Sequence, residues 1–214
     1  MHKAIADIRK EYASETLLER DVAANPMQQF QKWWEQVLAS HIDEPNAMTL
    51  ATASADGLPS ARIVLLKGFD ERGFVFYTNY NSVKGLQLEE NPKACLIFFW
   101  KELERQVRIV GLVEKVPAEE SDAYFHSRPL GSRIGAWTSP QSQVISNREW
   151  IEAEFEKRKA EFGEGPVPRP PHWGGYLVKP VLVEFWQGRF SRLHDRIQYS
   201  PGEAGNWTTE RLAP

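Results

Sequence analysis

The spacing of apolar residues changes period along the chain, and each period predicts a different element. Near the N-terminus, Asn25 and Pro26 have the residue types of a helix cap and of a first helical position. Apolar residues then recur every three to four positions: Phe30, Trp33, Trp34, Val37 and Leu38. This spacing places them on one face, so we predict an amphipathic helix that begins at Pro26.

Beyond this helix the pattern favours short strands joined by tight turns. We predict strands at 48–55, 60–69, 74–78, 94–100, 105–116, 176–186 and 197–199. Turns at Asp56-Gly57 and at 70–73 separate the first three strands. Closely spaced strands of this kind are typical of an antiparallel sheet or barrel, not of a doubly wound parallel sheet.

Helical patterns lie before and between these strands. A short helix is predicted around 5–12, and Ser82 has the residue type to cap another that reaches Asn91. Two more helices are predicted at 117–127 and 147–162, whereas 163–171 is too rich in proline to form helix or sheet. We therefore expect a mainly β fold with flanking helices, in the α+β class.

Composition and charge narrow the choice of function. The chain of 214 residues has a formal net charge of −3, so it lacks the global positive field that draws proteins to nucleic acid. Its single cysteine, Cys95, lies in an apolar run, where we expect a buried and inert thiol. We find no apolar signal segment or membrane span, so a cytoplasmic protein without a membrane or nucleic-acid partner is expected.

Sequence motifs of several common enzyme classes are missing from the chain. There is no Gly-x-Gly-x-x-Gly, no Walker loop and no Gly-x-Ser-x-Gly elbow. The five histidines are scattered without ligand spacing, so we expect no metal site. These gaps argue against a Rossmann dinucleotide site, a P-loop and a serine hydrolase.

Cationic residues embedded in apolar runs point instead to the binding of anions. A first cluster runs from Arg62 to Lys67 and is followed by Tyr77, Thr78 and Lys84. Arg62 and Lys67 are five positions apart, which places them on opposite faces of an uninterrupted strand. They are therefore either charges at the ends of a buried strand or, if a bulge or strand end intervenes, two cations that hold one ligand.

Two further clusters combine arginine with hydroxyl and aromatic groups. Tyr124, Arg128 and Ser132 have the groups of a phosphate cradle, although spacing alone favours a surface salt bridge for Arg128. In the last cluster a His-Asp pair lies between two arginines and follows a tryptophan: Trp186, Arg192, His194, Asp195 and Arg196. Such a segment can hold an anion and stack an indole on a flat ring, but salt bridges from Asp195 to its arginine neighbours are a competing interpretation.

Taken together and in this order, the clusters resemble the pyridoxine (pyridoxamine) 5′-phosphate oxidases, over nearly the whole chain. The residues that carry the resemblance are Arg9-Lys10-Glu11-Tyr12, Arg62 to Lys67, Phe76-Tyr77-Thr78-Asn79, Glu104-Arg105-Gln106-Val107, Tyr124 to Pro129, Ile134-Gly135-Ala136-Trp137, Gln141-Ser142, Trp173-Gly174-Gly175, Glu184-Phe185-Trp186-Gln187-Gly188, Arg192-Leu193-His194-Asp195-Arg196 and Glu210-Arg211-Leu212-Ala213-Pro214. Any one of these motifs is weak evidence, but their common order is specific.

The resemblance implies an FMN-binding split β-barrel of antiparallel Greek-key type, working as a homodimer with FMN at the subunit interface. It implies a cofactor site made by Arg62, Ile63, Val64, Leu65, Leu66, Lys67, Tyr77, Thr78, Lys84, Gln106, Gln141, Ser142, Trp186 and Arg196. It implies a substrate site made by Arg9, Tyr12, Lys67, Tyr124, Arg128, Ser132, Arg192 and His194. Arg192 and His194 are the implied catalytic residues. The family commonly has a basic residue just before the Lys84 position, and Val83 here brings the FMN affinity into question.

The implied activity is oxidation of pyridoxamine or pyridoxine 5′-phosphate to pyridoxal 5′-phosphate. A hydride passes to flavin N5, and O₂ reoxidises the flavin to give H₂O₂. The alternatives are a related split-barrel FMN reductase and a non-catalytic protein that binds FMN or pyridoxal phosphate. We expect residues 1–25 to form an N-terminal segment, with Arg9 and Tyr12 as a lid over the site, and 26–214 to form one domain with helical additions.

Overall fold

The computed structural model describes residue 5, residues 11 and 12, and residues 15–214. The predicted lid residue Arg9, and most of the predicted helix around 5–12, lie outside the described residues. No helix within the described part of the chain combines the length and the apolar character needed to cross a membrane.

Strands and helices follow one another in short runs along the described residues. The helices are α1 (Pro26–Ala39), α2 (Val83–Glu90), α3 (Ala118–Ser127), α4 (Leu130–Thr138) and α5 (Arg148–Phe162). The strands are β1 (Ala47–Ala53), β2 (Pro59–Leu65), β3 (Gly68–Asp70), β4 (Gly73–Asn79), β5 (Lys93–Trp100), β6 (Arg105–Lys115), β7 (Trp173–Gln187), β8 (Asp195–Pro201) and β9 (Trp207–Arg211). The strand order is β2-β1-β5-β6-β7-β4-β3, with β8 pairing to β7 and β9 to β8.

In four pairs of neighbouring strands the two strands run in opposite directions. The pairs β3–β4, β4–β7, β7–β8 and β8–β9 are all antiparallel. In the β4–β7 pair Tyr77 faces Gly175, and in the β7–β8 pair Trp186 faces Arg196. The prediction of a mainly β, antiparallel fold with flanking helices is therefore confirmed.

The chain divides into two compact units that interleave along the sequence. The first unit comprises Met1–Leu50, Cys95–Gly111 and Pro180–Pro214, and the second comprises Ala51–Ala94 and Leu112–Lys179. The predicted division into 1–25 and 26–214 stays a prediction.

Helix α1 supplies much of the core of the first unit. The Asn25 side chain caps it by accepting a hydrogen bond from the Met27 N–H at 2.7 Å, as predicted. Phe30 is fully buried against Phe98, with ring centroids 5.3 Å apart. Leu38 does not belong to this face and is 55% exposed. Because successive helical residues are about 100° apart around the axis, Leu38 lies outside the face that Phe30, Trp33 and Val37 bury.

Helices and a proline-rich loop form a core in the second unit. Phe125 of α3, Ile134 of α4, Val167 of the loop and Trp173 of β7 pack together, all buried. The carbonyl of Pro168 accepts a hydrogen bond from Trp137 Nε1 at 2.7 Å, so the loop predicted at 163–171 has a fixed attachment.

Several predicted boundaries were wrong. The strand predicted at 60–69 ends at Leu65, and a separate short strand begins at Gly68. Helix α4 and strand β9 were not predicted, and β7 and β8 are longer than expected. Cys95 is half-buried instead of buried, although burial still raises the pKa of its thiol.

A substitution at Gly85 tests how closely α2 approaches the preceding backbone. A Cβ on Gly85 would lie 2.1 Å from the carbonyl oxygen of Tyr80, which cannot move aside as a side chain can. We expect Gly85→Ala to lower the free energy of unfolding by about 1–3 kcal/mol, measured by urea denaturation.

Gly131 of α4 provides the matched control, because a Cβ there would meet no atom within 4 Å. Gly131→Ala should leave stability unchanged or raise it by up to about 1 kcal/mol. Equal effects of the two substitutions would show that the contact with Tyr80 does not constrain α2.

Candidate active site

A cavity of about 820 Å³ opens in the second unit. Its lining includes most of the predicted residues of this unit: Arg62, Ile63, Val64, Leu65, Lys67, Tyr77, Thr78, Lys84, Tyr124, Arg128, Ser132 and Gln141. Four of these are cationic, and no carboxylate is found among the described residues that line the cavity. The cavity is therefore suited to an anionic ligand.

Arg62 and Lys67 both line this cavity, although their spacing predicts opposite faces for one continuous strand. A strand end lies between the two residues, because β2 stops at Leu65. The N–H of Lys67 donates to the carbonyl of Val75 at 2.9 Å. The break after Leu65 therefore permits two cations of odd spacing to line one cavity.

Lys84 is a buried cation, and all of its described hydrogen-bond partners are neutral groups. It is 9% exposed, and its Nζ donates to Thr78 Oγ1 at 3.3 Å and to Gln141 Oε1 at 3.2 Å. Burial lowers the pKa of Lys84, and the positive charge of Arg62 lowers it further. The buried hydroxyl of Ser82 caps the helix by accepting from the Gly85 N–H at 3.3 Å. Lys84 therefore enters the cavity from the first turn of a helix.

Arg62 is oriented by two hydroxyl groups. Its Nη1 donates to Thr52 Oγ1 at 2.6 Å and its Nη2 to Ser60 Oγ at 2.5 Å. Burial lowers the pKa of Arg62. Because Arg62 adds positive charge beside Lys84, an anion in the cavity would relieve the repulsion between them.

A stack of three aromatic rings forms part of the cavity lining. The rings of Tyr77 and Tyr124 lie 4.0 Å apart at 20°, and Tyr77 also stacks on Trp173 at 5.6 Å. The guanidinium of Arg128 lies 4.5 Å from the centre of the Trp173 ring, and its Nη1 is buried with no hydrogen-bond partner among the described residues. The salt bridge favoured for Arg128 by spacing is not among the ion pairs of the described residues. A buried donor without a partner is rare in folded proteins, and it suits an anionic ligand.

Tyr77 contributes a neutral phenol to this stack. Burial, with smaller effects from Glu120 and Tyr124, raises the pKa of Tyr77 to about 12. The hydroxyl therefore keeps its proton near neutral pH and can donate a hydrogen bond.

A second group of predicted residues lies in the first unit, around the turn that joins β7 to β8. The rings of Trp186 and His194 lie 4.6 Å apart, and the ring of Tyr12 approaches His194 at 6.0 Å. Ser191 and Arg192 have φ angles of 54° and 62°, in the left-handed region that costs non-glycine residues about 1–2 kcal/mol each. Backbone strain of this kind is often found at functional sites.

His194 is held as a hydrogen-bond acceptor at one ring nitrogen. Its Nδ1 accepts from the N–H of Arg189 at 3.1 Å, so the neutral ring carries its proton on Nε2. Burial, and then the charge of Arg192, lower the pKa of His194 below 6.5. The ring is therefore neutral at pH 7 and presents an N–H donor.

Arg196 already has partners within the first unit. Its Nε donates to Glu184 Oε1 at 2.9 Å and its Nη1 to the carbonyl of Ala213 at 2.7 Å. Glu184 is 3% exposed and also accepts from Arg108 Nη2 at 2.5 Å. Burial alone would raise the pKa of Glu184, but hydrogen bonds from Arg196 and Arg108 lower it overall. Direct contact between Arg196 and a cofactor stays a prediction.

Some predicted residues lie away from these two groups, and some functional candidates were missed. Leu66 is buried and Ser142 is exposed, and neither lines the cavity; Gln106 lies on β6 in the first unit. Trp173 beneath Arg128 carried no charge signal in the sequence, although it belongs to a motif of the resemblance. Among the described residues, the ion-pair partners of Asp195 are Arg189 and Arg211, not its arginine neighbours Arg192 and Arg196.

Comparisons with known proteins agree on the family. The family described as "Pyridoxamine 5′-phosphate oxidase" matches residues 34–161, and "Pyridoxine 5′-phosphate oxidase C-terminal dimerisation region" matches residues 173–214. A pyridoxine/pyridoxamine 5′-phosphate oxidase of Bordetella petrii is 62% identical over 211 residues, covering 99% of this chain and 100% of the relative. The enzyme of that name from Nostoc punctiforme is 58% identical over the full length of both chains.

A solved structure of similar fold is that of PhzG from Burkholderia lata in complex with tetrahydrophenazine-1-carboxylic acid. It is 29% identical, has a TM-score of 0.87, and the match covers 94% of this chain and 100% of that one. Sequence relatives thus match the chain over its full length, and a solved structure of similar fold matches 94% of it. We conclude that the chain belongs to the pyridoxamine 5′-phosphate oxidase family.

Proposed function

We propose that this protein is an FMN-dependent oxidase that converts pyridoxamine or pyridoxine 5′-phosphate to pyridoxal 5′-phosphate. The observation that carries the proposal is the second-unit cavity, where four cations gather without a carboxylate among the described lining residues. FMN and the substrate are both phosphate esters, so each brings the charge that this lining lacks. The names of the relatives at 58–62% identity support the same assignment.

The donor set fits the cofactor. Arg62 and Lys84 would hold the FMN phosphate, since they are adjacent cations beside the hydroxyl of Thr78. The rest of the cofactor site would be made by Ile63, Val64, Leu65, Leu66, Lys67, Tyr77, Gln106, Gln141, Ser142, Trp186 and Arg196. When bound, FMN supplies an acceptor for the hydride that leaves the substrate carbon and is regenerated by O₂, which becomes H₂O₂.

The substrate phosphate would be held by Lys67, Tyr124, Arg128 and Ser132. The orphaned Nη1 of Arg128 is the donor best suited to it, because the aromatic stack already fixes the guanidinium. Arg192 and His194 would orient and polarise the substrate ring, with neutral His194 donating from Nε2. Arg9 and Tyr12 would cover the ring. Fixing the substrate at both ends is an efficient way to hold its reacting carbon in place.

The match to a C-terminal dimerisation region supports a homodimer as the working form. FMN would bind between its subunits. We expect the enzyme to act in the cytoplasm.

A second candidate ligand is an aromatic carboxylate, since the PhzG structure of similar fold contains one. Cations of the cavity could hold a carboxylate as well as a phosphate. A carboxylate would leave unused the additional donors of Tyr124 and Ser132, so the phosphate ester is the better fit.

The direct test is turnover by the purified protein. With FMN and pyridoxamine phosphate, we expect pyridoxal phosphate, ammonia and H₂O₂ in equal amounts, measured by absorbance and by a peroxidase-coupled assay. Arg192→Met should lower kcat/KM by about 100-fold because substrate orientation is lost, while FMN affinity changes less than about twofold.

Arg72→Met is the matched control, because Arg72 pairs with Asp70 at the surface and is not one of the residues that line the cavity. It should retain full activity. Absence of product from the unaltered protein would refute the oxidase assignment, and reduction of FMN by a nicotinamide would favour the reductase. FMN binding without either reaction would favour a non-catalytic binder.

Lys84→Met tests whether a buried cation is retained for the cofactor at the expense of stability. Methionine removes an unpaired buried charge, so we expect the ligand-free protein to gain about 1–2 kcal/mol in urea denaturation. FMN should bind about 10–100-fold more weakly, because one charge-assisted hydrogen bond is lost.

Lys93→Met, at the exposed start of β5, should change neither quantity appreciably. A Lys84→Met protein with undiminished FMN affinity would rule out the proposed role of Lys84.

A further inference from the structure

Asp195 joins three separate parts of the first unit through one carboxylate. Its Oδ2 accepts from the backbone N–H of Leu17 at 3.1 Å and lies 3.6 Å from Arg189 Nε. Its Oδ1 accepts from Arg211 Nη1 at 2.7 Å. The side chain is 15% exposed, so these contacts are shielded from water. One acidic group thus connects the N-terminal segment, the β7–β8 turn and the C-terminal strand β9.

Asp195 and Arg211 together form hydrogen bonds with both backbone polar groups of Leu17. Asp195 accepts from its N–H, and Arg211 Nη2 donates to its carbonyl at 2.9 Å. The Leu17 side chain is 3% exposed. Two charged side chains therefore pair the N–H and the carbonyl of Leu17, as the backbone of a neighbouring strand does within a sheet.

Arg211 is itself oriented by a second carboxylate. Its Nε donates to Glu19 Oε1 at 2.5 Å and its Nη2 to Glu19 Oε2 at 2.8 Å. The hydrogen bond from Arg211 lowers the pKa of Glu19 to about 2. The guanidinium thus has a carboxylate on each side and a fixed direction toward Leu17.

The same contacts lead directly to His194. Arg189, which faces Asp195, donates its backbone N–H to His194 Nδ1 at 3.1 Å and its Nη1 to the carbonyl of Glu15 at 3.0 Å. Upstream in the N-terminal segment, the ring of Tyr12 meets Trp186 edge-on at 5.9 Å and lies 6.0 Å from His194.

A glycine makes room for this approach. A Cβ at Gly188 would lie 2.8 Å from the Cβ and Cγ atoms of Tyr12. The β7–β8 turn is therefore shaped to accept the Tyr12 side chain beside Trp186 and His194.

We propose that Asp195 and Arg211 are positioning residues that fix the N-terminal segment at Leu17 and thereby hold Tyr12 against His194. The inference rests on the proposed function, in which Tyr12 covers the substrate ring and His194 contacts it. It gives Asp195, which touches no substrate group in that proposal, a role in substrate binding. It also makes the C-terminal strand a support of the active site.

The first test needs no activity. In Asp195→Ala, the amide hydrogen of Leu17 should exchange at least about tenfold faster by NMR, because its acceptor is lost. The pKa of His194 should rise toward its ordinary value, because Tyr12 no longer shields the ring from water. Asp70→Asn is the matched control, since it breaks an ion pair of similar length, 2.8 Å, in the second unit. It should leave both quantities unchanged.

The second test separates positioning from simple stabilisation. Asp195→Ala and Arg211→Met should each raise KM for pyridoxamine phosphate about tenfold, with FMN affinity within about twofold of the unaltered protein. In a Tyr12→Ala background, Asp195→Ala should raise KM less than about twofold, because its effect passes through Tyr12. If Asp195→Ala does not fold, Asp195→Asn, which keeps the side-chain volume, takes its place.

Outcomes that overturn the inference are distinct from those that overturn the function. Unchanged exchange at Leu17, an unchanged pKa of His194, or an equal KM effect with and without Tyr12 would refute the positioning role. An unaltered protein that makes no pyridoxal phosphate would refute the oxidase instead, and the exchange and titration results would then decide the positioning role alone.

Discussion

Burial of cations without carboxylate partners is the constraint on which the candidate site depends. Removing a charged group from water is costly unless an opposite charge or several hydrogen bonds compensate. In the second unit Lys84 is 9% exposed among neutral acceptors, and Arg128 carries a buried donor without a partner among the described residues. The fold tolerates these costs at one cavity, and an anionic ligand is the natural compensation. Such local destabilisation is expected where a protein binds a charged cofactor.

The backbone places these groups by a few specific breaks in regular structure. The end of β2 at Leu65 allows Arg62 and Lys67 to line the same cavity. Close approach at Gly85 sets the first turn of α2, from which Lys84 reaches Thr78 and Gln141. In the first unit, left-handed backbone at Ser191 and Arg192 shapes the turn that carries His194.

Local patterns predicted those parts of the fold whose signals are local. Caps at Asn25 and Ser82 marked two helices correctly, because each supplies a side-chain acceptor at a helix start. Helix α4 was missed since its glycines and the preceding Pro129 obscure the helical pattern. Strand β9 was missed because it has only five residues, most of them exposed, so that its formation depends on pairing with β8.

In the candidate site, too, local signals could be predicted from the sequence and contacts between distant residues could not. Arg62, Lys84 and Arg128 stood out as cations within apolar or aromatic runs, and they line one cavity. The partners of Asp195 could not be predicted, because Leu17 and Arg211 lie near opposite ends of the chain and leave no local pattern.

Comparison of FMN with riboflavin tests whether the cavity cations hold the FMN phosphate, because the two ligands differ by the phosphate alone. Flavin fluorescence titrations of the ligand-free protein would give both dissociation constants. We expect FMN to bind at least about 100-fold more tightly than riboflavin, and this advantage to shrink as salt screens the cavity cations. Equal affinities at low salt would contradict it, because the buried cations would then have no part in holding the cofactor.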